Sequence, residues 1–171
     1  MKKTLLLILF TAICFTAAAQ DFTFGQYSMD DMNMRRYSKD TNAHAVVLRE
    51  FGKTWLSSGD NIPLVHEYHV KIKIFDPEAF EHYGNIEIPI YKIDNNRYEE
   101  VTEIKGITYY EDGSGVVKEA TLDPKNVFQT KENRYWDVIK FAMPNLRKGC
   151  IIEYSYHLET PRRVNFPTWN F

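Results

Sequence analysis

The sequence predicts a mainly β fold: an antiparallel β-sandwich with one or two short helices. Three observations support this prediction. After Ala43, apolar residues recur at every second position in several segments, which is the period of a β-strand. Turn-forming residues separate these segments at short intervals. Tyr and Phe, eleven of each, are residues that favour strands and sheet cores.

The N-terminus has the layout of a secretory signal peptide. Lys2 and Lys3 precede an apolar run from Leu5 to Phe15, and Ala17–Ala19 supplies the small residues of a cleavage site before Gln20. The run is too short for a stable membrane span. We therefore expect residues 1–19 to be removed, leaving an exported protein, periplasmic or extracellular, with no integral membrane segment.

Composition limits the function classes. Residues 20–171 are the size of one ordinary domain. The net charge of −2 becomes more negative when the basic leader is lost, which gives no electrostatic reason to bind nucleic acid or anionic lipid. Loss of Cys14 leaves Cys150 alone, so an internal disulfide is excluded.

The first predicted elements lie between residues 28 and 56. Ser28 is suited to cap a short helix that carries Asp30 and Asp31 in its first turn. Residues 45–50 and 53–56 are predicted to be two strands that meet at Phe51-Gly52.

The segment from Leu64 to Phe75 alternates most clearly. One face carries His66, Tyr68, Val70, Ile72 and Ile74, and the other carries Glu67, His69, Lys71 and Lys73. We predict one core from these and later faces, with Val70, Ile72, Ile74, Ile88, Ile152 and Tyr154 buried and with Lys71, Lys73 and Glu87 exposed.

The remaining elements follow from the same signals. Pro89, within a strand marked by isoleucines at positions 86, 88 and 90, indicates an edge or a bulge. We predict a helical turn at 78–83, a turn at 94–96, strands at 99–110, 116–122, 138–143 and 150–159, and a hairpin turn at Asp112-Gly113-Ser114-Gly115.

His66 and His69 are the first candidates for a metal site. A zincin helix needs histidines four residues apart, but Val70 stands where the second should be. On a strand the two histidines point to opposite faces and cannot share an ion. We therefore predict no metal here, and expect one histidine half-buried and one exposed.

Cys150 is the only candidate nucleophile among the cysteines of the mature chain. It shares its parity with Ile152 and other apolar residues, whereas Glu153 and His157 fall on the opposite face of the strand. We therefore predict a buried, unreactive thiol with no base beside it.

Other polar motifs have simpler interpretations. Residues 112–115 lack the lysine and helix of a phosphate loop, and Asp30, Asp31 and Asp40 lack the spacing of a calcium loop. We predict no catalytic, cofactor-binding or metal-binding residue. The aromatic residues could bind a sugar or a peptide, but a sheet core explains them more simply.

The C-terminal residues 166–171 (FPTWNF) are aromatic and strand-like, with no polar tail. A chain terminus normally lies in solvent. We therefore expect the domain to be incomplete at its C-terminal end and to continue in a longer protein.

Several segments together resemble the domain of unknown function 3857: Phe24-Gly25, residues 40–48, residues 69–75, residues 104–108, residues 140–156 and residues 167–171. The resemblance implies a β-sandwich at the N-terminus of exported bacterial proteins. It also implies that a papain-type transglutaminase-like domain follows, carrying catalytic Cys, His and Asp. Those catalytic positions have no counterpart in this sequence.

Three hypotheses follow, in order of preference. The first is a non-catalytic exported module that accompanies a transglutaminase-like domain. The second is a stand-alone module that binds an envelope glycan or peptide through exposed aromatic residues. The third is a small hydrolase.

Overall fold

A computed structural model describes residues 22–58, 62–94 and 97–161, without the side chains of residues 93, 94, 97 and 98. The predicted signal peptide, residues 95–96 of the predicted turn and the aromatic segment 166–171 lie outside the described residues.

The described chain is mainly strand, with two short helices. The helices are α1 (Met29–Asn33) and α2 (Phe80–Gly84), and single 3-10 turns occur at Pro77–Ala79 and Pro124–Asn126. The strands are β1 (Ala45–Leu56), β2 (Leu64–Ile74), β3 (Asn85–Asp94), β4 (Arg97–Tyr98), β5 (Glu100–Glu111), β6 (Val117–Thr121), β7 (Phe128–Lys131), β8 (Trp136–Ala142) and β9 (Ile151–Thr160).

The strands form two antiparallel sheets. One has five strands in the order β1-β2-β9-β5-β6, and the other has four in the order β4-β3-β8-β7. In the five-stranded sheet β2 and β9 pair in a continuous register that places Ile72 opposite Ile152. In the four-stranded sheet Ile88 lies opposite Ile139. The predicted fold class is confirmed.

The core between the sheets draws on both. Its buried members include Val70, Ile72, Ile74, Ile86, Ile88, Ile90, Ile139, Phe141 and Ile152. Each fully buried side chain of this size stabilises the fold by about 1.5–3 kcal/mol. Five of the six core residues predicted from alternation are therefore confirmed. Tyr154 is the exception, because it is only half-buried at the border of the cluster.

The predicted division into two strands at Phe51-Gly52 is wrong. β1 is one strand whose pairing with β2 runs from Ala45 opposite Ile74 to Leu56 opposite Leu64. The ladder carries Phe51 and Gly52 straight through, because pairing with a long neighbour outweighs the local turn tendency of one glycine. The irregularity in this pairing lies elsewhere, between Val47 and Arg49.

Pro89 lies on an edge, as predicted. β3 pairs with β8 on one side, whereas its pairing with the two-residue β4 involves only Lys92 and Asp94. Strands β4 and β7 are not predicted from the sequence. β7 is exposed at all four residues, so it carries no apolar alternation that could mark it.

A third layer covers the outer face of the five-stranded sheet. We call residues 22–34 the N-terminal strap. The strap includes α1 and packs on side chains of β2, β5 and β9, with Met32, Ile107, Tyr109 and Ile151 forming a second buried cluster. Lys71 and Lys73, predicted to be exposed, are consequently 5% and 0% exposed. The prediction for these lysines is wrong, whereas Glu87 is exposed as expected.

Candidate site beneath the N-terminal strap

Glu153 is the centre of a buried polar cluster on the covered face. It points away from the main core because it alternates with Ile152 along β9, and its side chain is 0% exposed. Its Oε1 lies 2.8 Å from His69 Nε2 and 3.4 Å from Lys71 Nζ. Its Oε2 accepts hydrogen bonds from the Tyr109 hydroxyl at 2.9 Å and from the Gly25 N–H at 3.2 Å. A buried carboxylate needs such partners, since burial without them is costly.

The two buried lysines bind the main chain of the strap. Lys71 Nζ donates to the carbonyl oxygen of Gln26. Lys73 Nζ donates to the carbonyl oxygens of Met32 and Gly149, each at 2.7 Å. With the Gly25 N–H, three main-chain groups of the strap are therefore held by charged side chains of the sheet. Such bonds do not depend on the side chains of the strap.

Aromatic side chains of the strap fill the spaces beside these groups. The Phe22 ring stacks on His69 with 3.8 Å between ring centroids, and Phe24 lies 5.5 Å from the same histidine. Lys71 Nζ lies 5.2 Å from the Phe22 ring centroid, within the range of a cation–π interaction. Tyr27 packs on Tyr109 at 4.8 Å. Stacking therefore adds side-chain selectivity to the main-chain bonds.

Local sequence explains why the strap takes this path. Gly25 has a φ of +85°, which residues with a Cβ rarely adopt, and this conformation directs its N–H at Glu153. Ser28 caps α1, because its hydroxyl accepts a hydrogen bond from the Asp31 N–H at 3.0 Å. The predicted helix cap is confirmed, and the predicted acidic residues Asp30 and Asp31 lie in the first turn of α1.

The covered face shifts the acidity of two of its members. Burial lowers the pKa of Lys73 to about 8. Burial, together with the hydrogen bond to Glu153, raises the pKa of the Tyr109 hydroxyl. A cavity of about 180 Å³ remains between the strap and the sheet, lined in part by Phe22, Arg49 and Lys71. The side chains of the covered face are therefore suited to bind a peptide main chain and aromatic rings.

Cys150 is buried as predicted, with 1% of its surface exposed. It lies in the main core beside Val70 and Ile152, and its N–H donates to the carbonyl oxygen of Arg147. Burial raises the pKa of its thiol, which disfavours the reactive thiolate. Glu153 lies on the opposite face of the strand, as its parity predicts.

His66 and His69 lie on opposite faces of β2. His66 Nδ1 lies 2.7 Å from the Thr54 hydroxyl, and His69 contacts Glu153 on the other face. Their predicted separation is therefore confirmed. The predicted exposure is wrong, because His66 and His69 are only 3% and 2% exposed, and Phe22 of the strap stacks on His69.

Three side chains that were not predicted as a cluster connect His44, which directly precedes β1, with the turn after β2. His44 Nδ1 lies 2.9 Å from Asp76 Oδ2, and His44 Nε2 lies 3.3 Å from Glu78 Oε2. The possible ligand atoms of these three side chains all lie within 4.8 Å of one another, close enough to hold a metal ion. Because both ring nitrogens face carboxylates, and because Asp76 raises the pKa of His44, the arrangement favours an ion pair with imidazolium.

The remaining polar motifs have structural roles. Asp112 Oδ1 accepts hydrogen bonds from Ser114 and Val116, which fixes the predicted hairpin between β5 and β6. Asp40 accepts from the Asn42 N–H in the link between strap and sheet.

An open groove of about 620 Å³ lies at the end of the four-stranded sheet. Ile86, Phe128, Phe141 and Met143 line its apolar part, and Phe128 is 58% exposed. The Glu87–Lys140 ion pair, with 2.8 Å between Oε1 and Nζ, also lines the groove and supplies a polar border. Within the described ranges, no helix is long and apolar enough to cross a membrane.

Comparison with known proteins gives a fold and a family. The crystal structure of a putative protease from Parabacteroides distasonis ATCC 8503 is similar in fold, with a TM-score of 0.53 at 12% sequence identity. The match covers 68% of this chain but only 23% of that protein. No curated protein matches the sequence significantly. The model of a family described as a domain of unknown function with a solved structure, DUF3857, matches residues 63–169. The chain belongs to the DUF3857 family.

Proposed function

We propose that this chain is a non-catalytic, exported β-sandwich module that accompanies a transglutaminase-like domain of papain type. The observation that carries the proposal is the placement of its reactive groups. Cys150 lies in the main core, and Glu153 and His69 are engaged with each other and with the strap. A nucleophile must be accessible to act, and Cys150, Glu153 and His69 are all buried.

The structural neighbour supports the accessory role. Its shared fold is less than a quarter of a longer protein. A module that forms a small part of a larger protein is suited to packing against another domain or presenting substrate to it. Function resides in sites rather than in folds, so the neighbour's description does not transfer an activity to this chain.

The gene itself offers the direct test of accompaniment. We expect the reading frame to continue past the codon for Phe171 into a domain with papain-type Cys, His and Asp residues. We also expect N-terminal mass analysis of the exported protein to begin at Gln20. A stop codon directly after Phe171, or retention of residues 1–19, would contradict the corresponding part of the proposal.

Mutation of the full-length protein tests the non-catalytic assignment. Replacing the nucleophilic cysteine of the accompanying domain should abolish hydrolysis or transfer on peptide substrates, whereas Cys150→Ser should leave the rate within about twofold. Cys150 should also react slowly with a thiol reagent in the folded protein. Loss of activity in a Cys150→Ser variant that keeps its thermal unfolding temperature would overturn the assignment.

A second candidate function is binding of an envelope glycan or peptide. The groove favours it, because Phe128 is exposed beside a polar border, and binding sites combine apolar walls with a few polar groups. Titration with cell-wall glycan fragments should then give saturable binding that Phe128→Ala weakens at least tenfold. The exposed Val116→Ala is the matched control away from the groove.

A further inference from the structure

The covered face of the five-stranded sheet has an unusual composition for a buried surface. His69, Lys71, Lys73 and Glu153 project from it beside Ile107, Tyr109 and Ile151. Charged residues are seldom fully buried in proteins. Here the sequence alternates as it would for a face in water, yet these side chains are buried beneath the strap.

This composition makes the face compatible with two states. With the strap in place, Lys71, Lys73 and Glu153 each form a hydrogen bond with a main-chain group of the strap. With the strap released, water can solvate the same groups, so uncovering them carries no penalty for an unpaired buried charge. The main core has no such alternative, because its side chains are almost all apolar.

The connection between strap and sheet permits release. No helix or strand occurs between the end of α1 at Asn33 and the start of β1 at Ala45. Most side chains in this link are exposed, and the ion pair between Arg35 and Glu111 is a long one, 3.8 Å, between exposed groups. Such surface pairs contribute about 0–1 kcal/mol. Little therefore holds the strap beyond its own contacts with the face.

The contacts themselves define a peptide ligand. Two carbonyl oxygens and one N–H of the strap are held by buried side chains, which would accept the main chain of any peptide on the same path. Phe22 and Phe24 contact His69, and the glycine after them makes the turn that presents its N–H to Glu153.

We propose that the covered face is a peptide-binding site that the strap occupies in cis. Its partner is a peptide with two aromatic residues separated by one residue and followed by glycine, which enters when the strap leaves. The proposal does not depend on the accessory role argued above. The strap competes at the high effective concentration of a tethered segment, on the order of millimolar, so the wild-type chain should bind such peptides weakly.

The test uses the full chain and a fluorescein-labelled synthetic peptide of residues 22–34. A Phe22→Ala/Phe24→Ala variant keeps the main core but vacates both aromatic positions at His69. We expect this variant to bind the peptide at least tenfold more tightly than the wild-type chain, by fluorescence anisotropy. A peptide with alanine at both phenylalanine positions is the matched control and should bind at least tenfold more weakly.

A substitution in the five-stranded sheet tests whether the peptide binds to the covered face. Adding Glu153→Gln to the double variant should weaken peptide binding about fivefold or more, whereas adding the exposed Glu87→Gln should leave it unchanged. Circular dichroism establishes that each variant is folded, and Gly25→Ala provides a second way to loosen the strap should the double variant unfold. Equal binding by wild-type and loosened chains, or equal binding of the control peptide, would overturn the proposal.

Discussion

The two faces of the five-stranded sheet bury different kinds of side chain: apolar ones on the inner face, and charged ones with partners on the outer face. The inner face places Val70, Ile72 and Ile152 against the other sheet. Removing these apolar side chains from water stabilises the fold and requires no specific polar partner. The outer face places Lys71, Lys73 and Glu153 under a short strap, where burial is tolerable only while each group has a partner. Burial alone therefore does not tell whether a face is permanent core or an occupied site.

The largest expected effect contrasts adjacent isoleucines. Ile151 and Ile152 are both 0% exposed, but Ile152 faces the main core and Ile151 faces the strap. Ile152→Ala should lower the free energy of unfolding by about 2–5 kcal/mol, as large-to-small core changes do. Ile151→Ala should cost less, because its cost cannot exceed the free energy with which the strap docks. Equal losses in denaturant unfolding would show that both faces are permanent core.

A smaller effect is expected from the charge at the centre of the covered face. Glu153→Gln leaves Lys71 without its anionic partner, and a hydrogen bond to a charged group contributes about 1.5–3 kcal/mol to stability. Glu87→Gln is the control, since its exposed ion pair with Lys140 should contribute at most about 1 kcal/mol. Denaturant unfolding of both variants measures the difference. A Glu153→Gln variant as stable as Glu87→Gln would mean that the strap does not depend on this carboxylate.

A substitution at Gly25 tests how strongly the turn in the strap contributes to its docking on the sheet. Gly25→Ala should loosen the strap by about 1 kcal/mol, because its φ of +85° is strained for alanine although space for the methyl group is free. Gly113→Ala, at an exposed turn position with equally open surroundings, should have little effect. Limited proteolysis within residues 22–34 is the readout. Cleavage at an unchanged rate in Gly25→Ala would contradict the role of this turn.

The smallest effect concerns the exposed ion pair of His44. The hydrogen bond and charge of Asp76 raise the pKa of His44 above 6.5, so the stabilisation is full below pH 6.5 and is lost as pH rises through the folded-state pKa. NMR titration should show this raised pKa, and Asp76→Asn should return it toward 6.5. A His44 pKa below 6.5 in the wild-type protein would contradict the observed pairing.

Alternation predicted the inner face well, because burial between two sheets depends only on which side chains share a parity. Ile72, Ile88 and Ile152 were found in this way. The site beneath the strap could not be predicted from alternation. Parity places Lys71 and Lys73 on the outer face of the sheet, but it does not tell whether another segment covers that face. Phe24-Gly25 was visible as part of a family resemblance, but its partner Glu153 lies 128 residues away. Distant pairings of this kind depend on the path of the whole chain.

Native-state hydrogen exchange can distinguish a strap that opens locally from one that is a permanent part of the core. We expect the amides of residues 22–34, including the Gly25 N–H on Glu153, to exchange through a local opening of the strap. The amides of β2 and β9 should exchange only through global unfolding. Gly25→Ala should speed exchange in the strap several-fold and leave β2 and β9 nearly unchanged. Exchange of strap and strands at one common free energy in the wild-type protein would contradict the account.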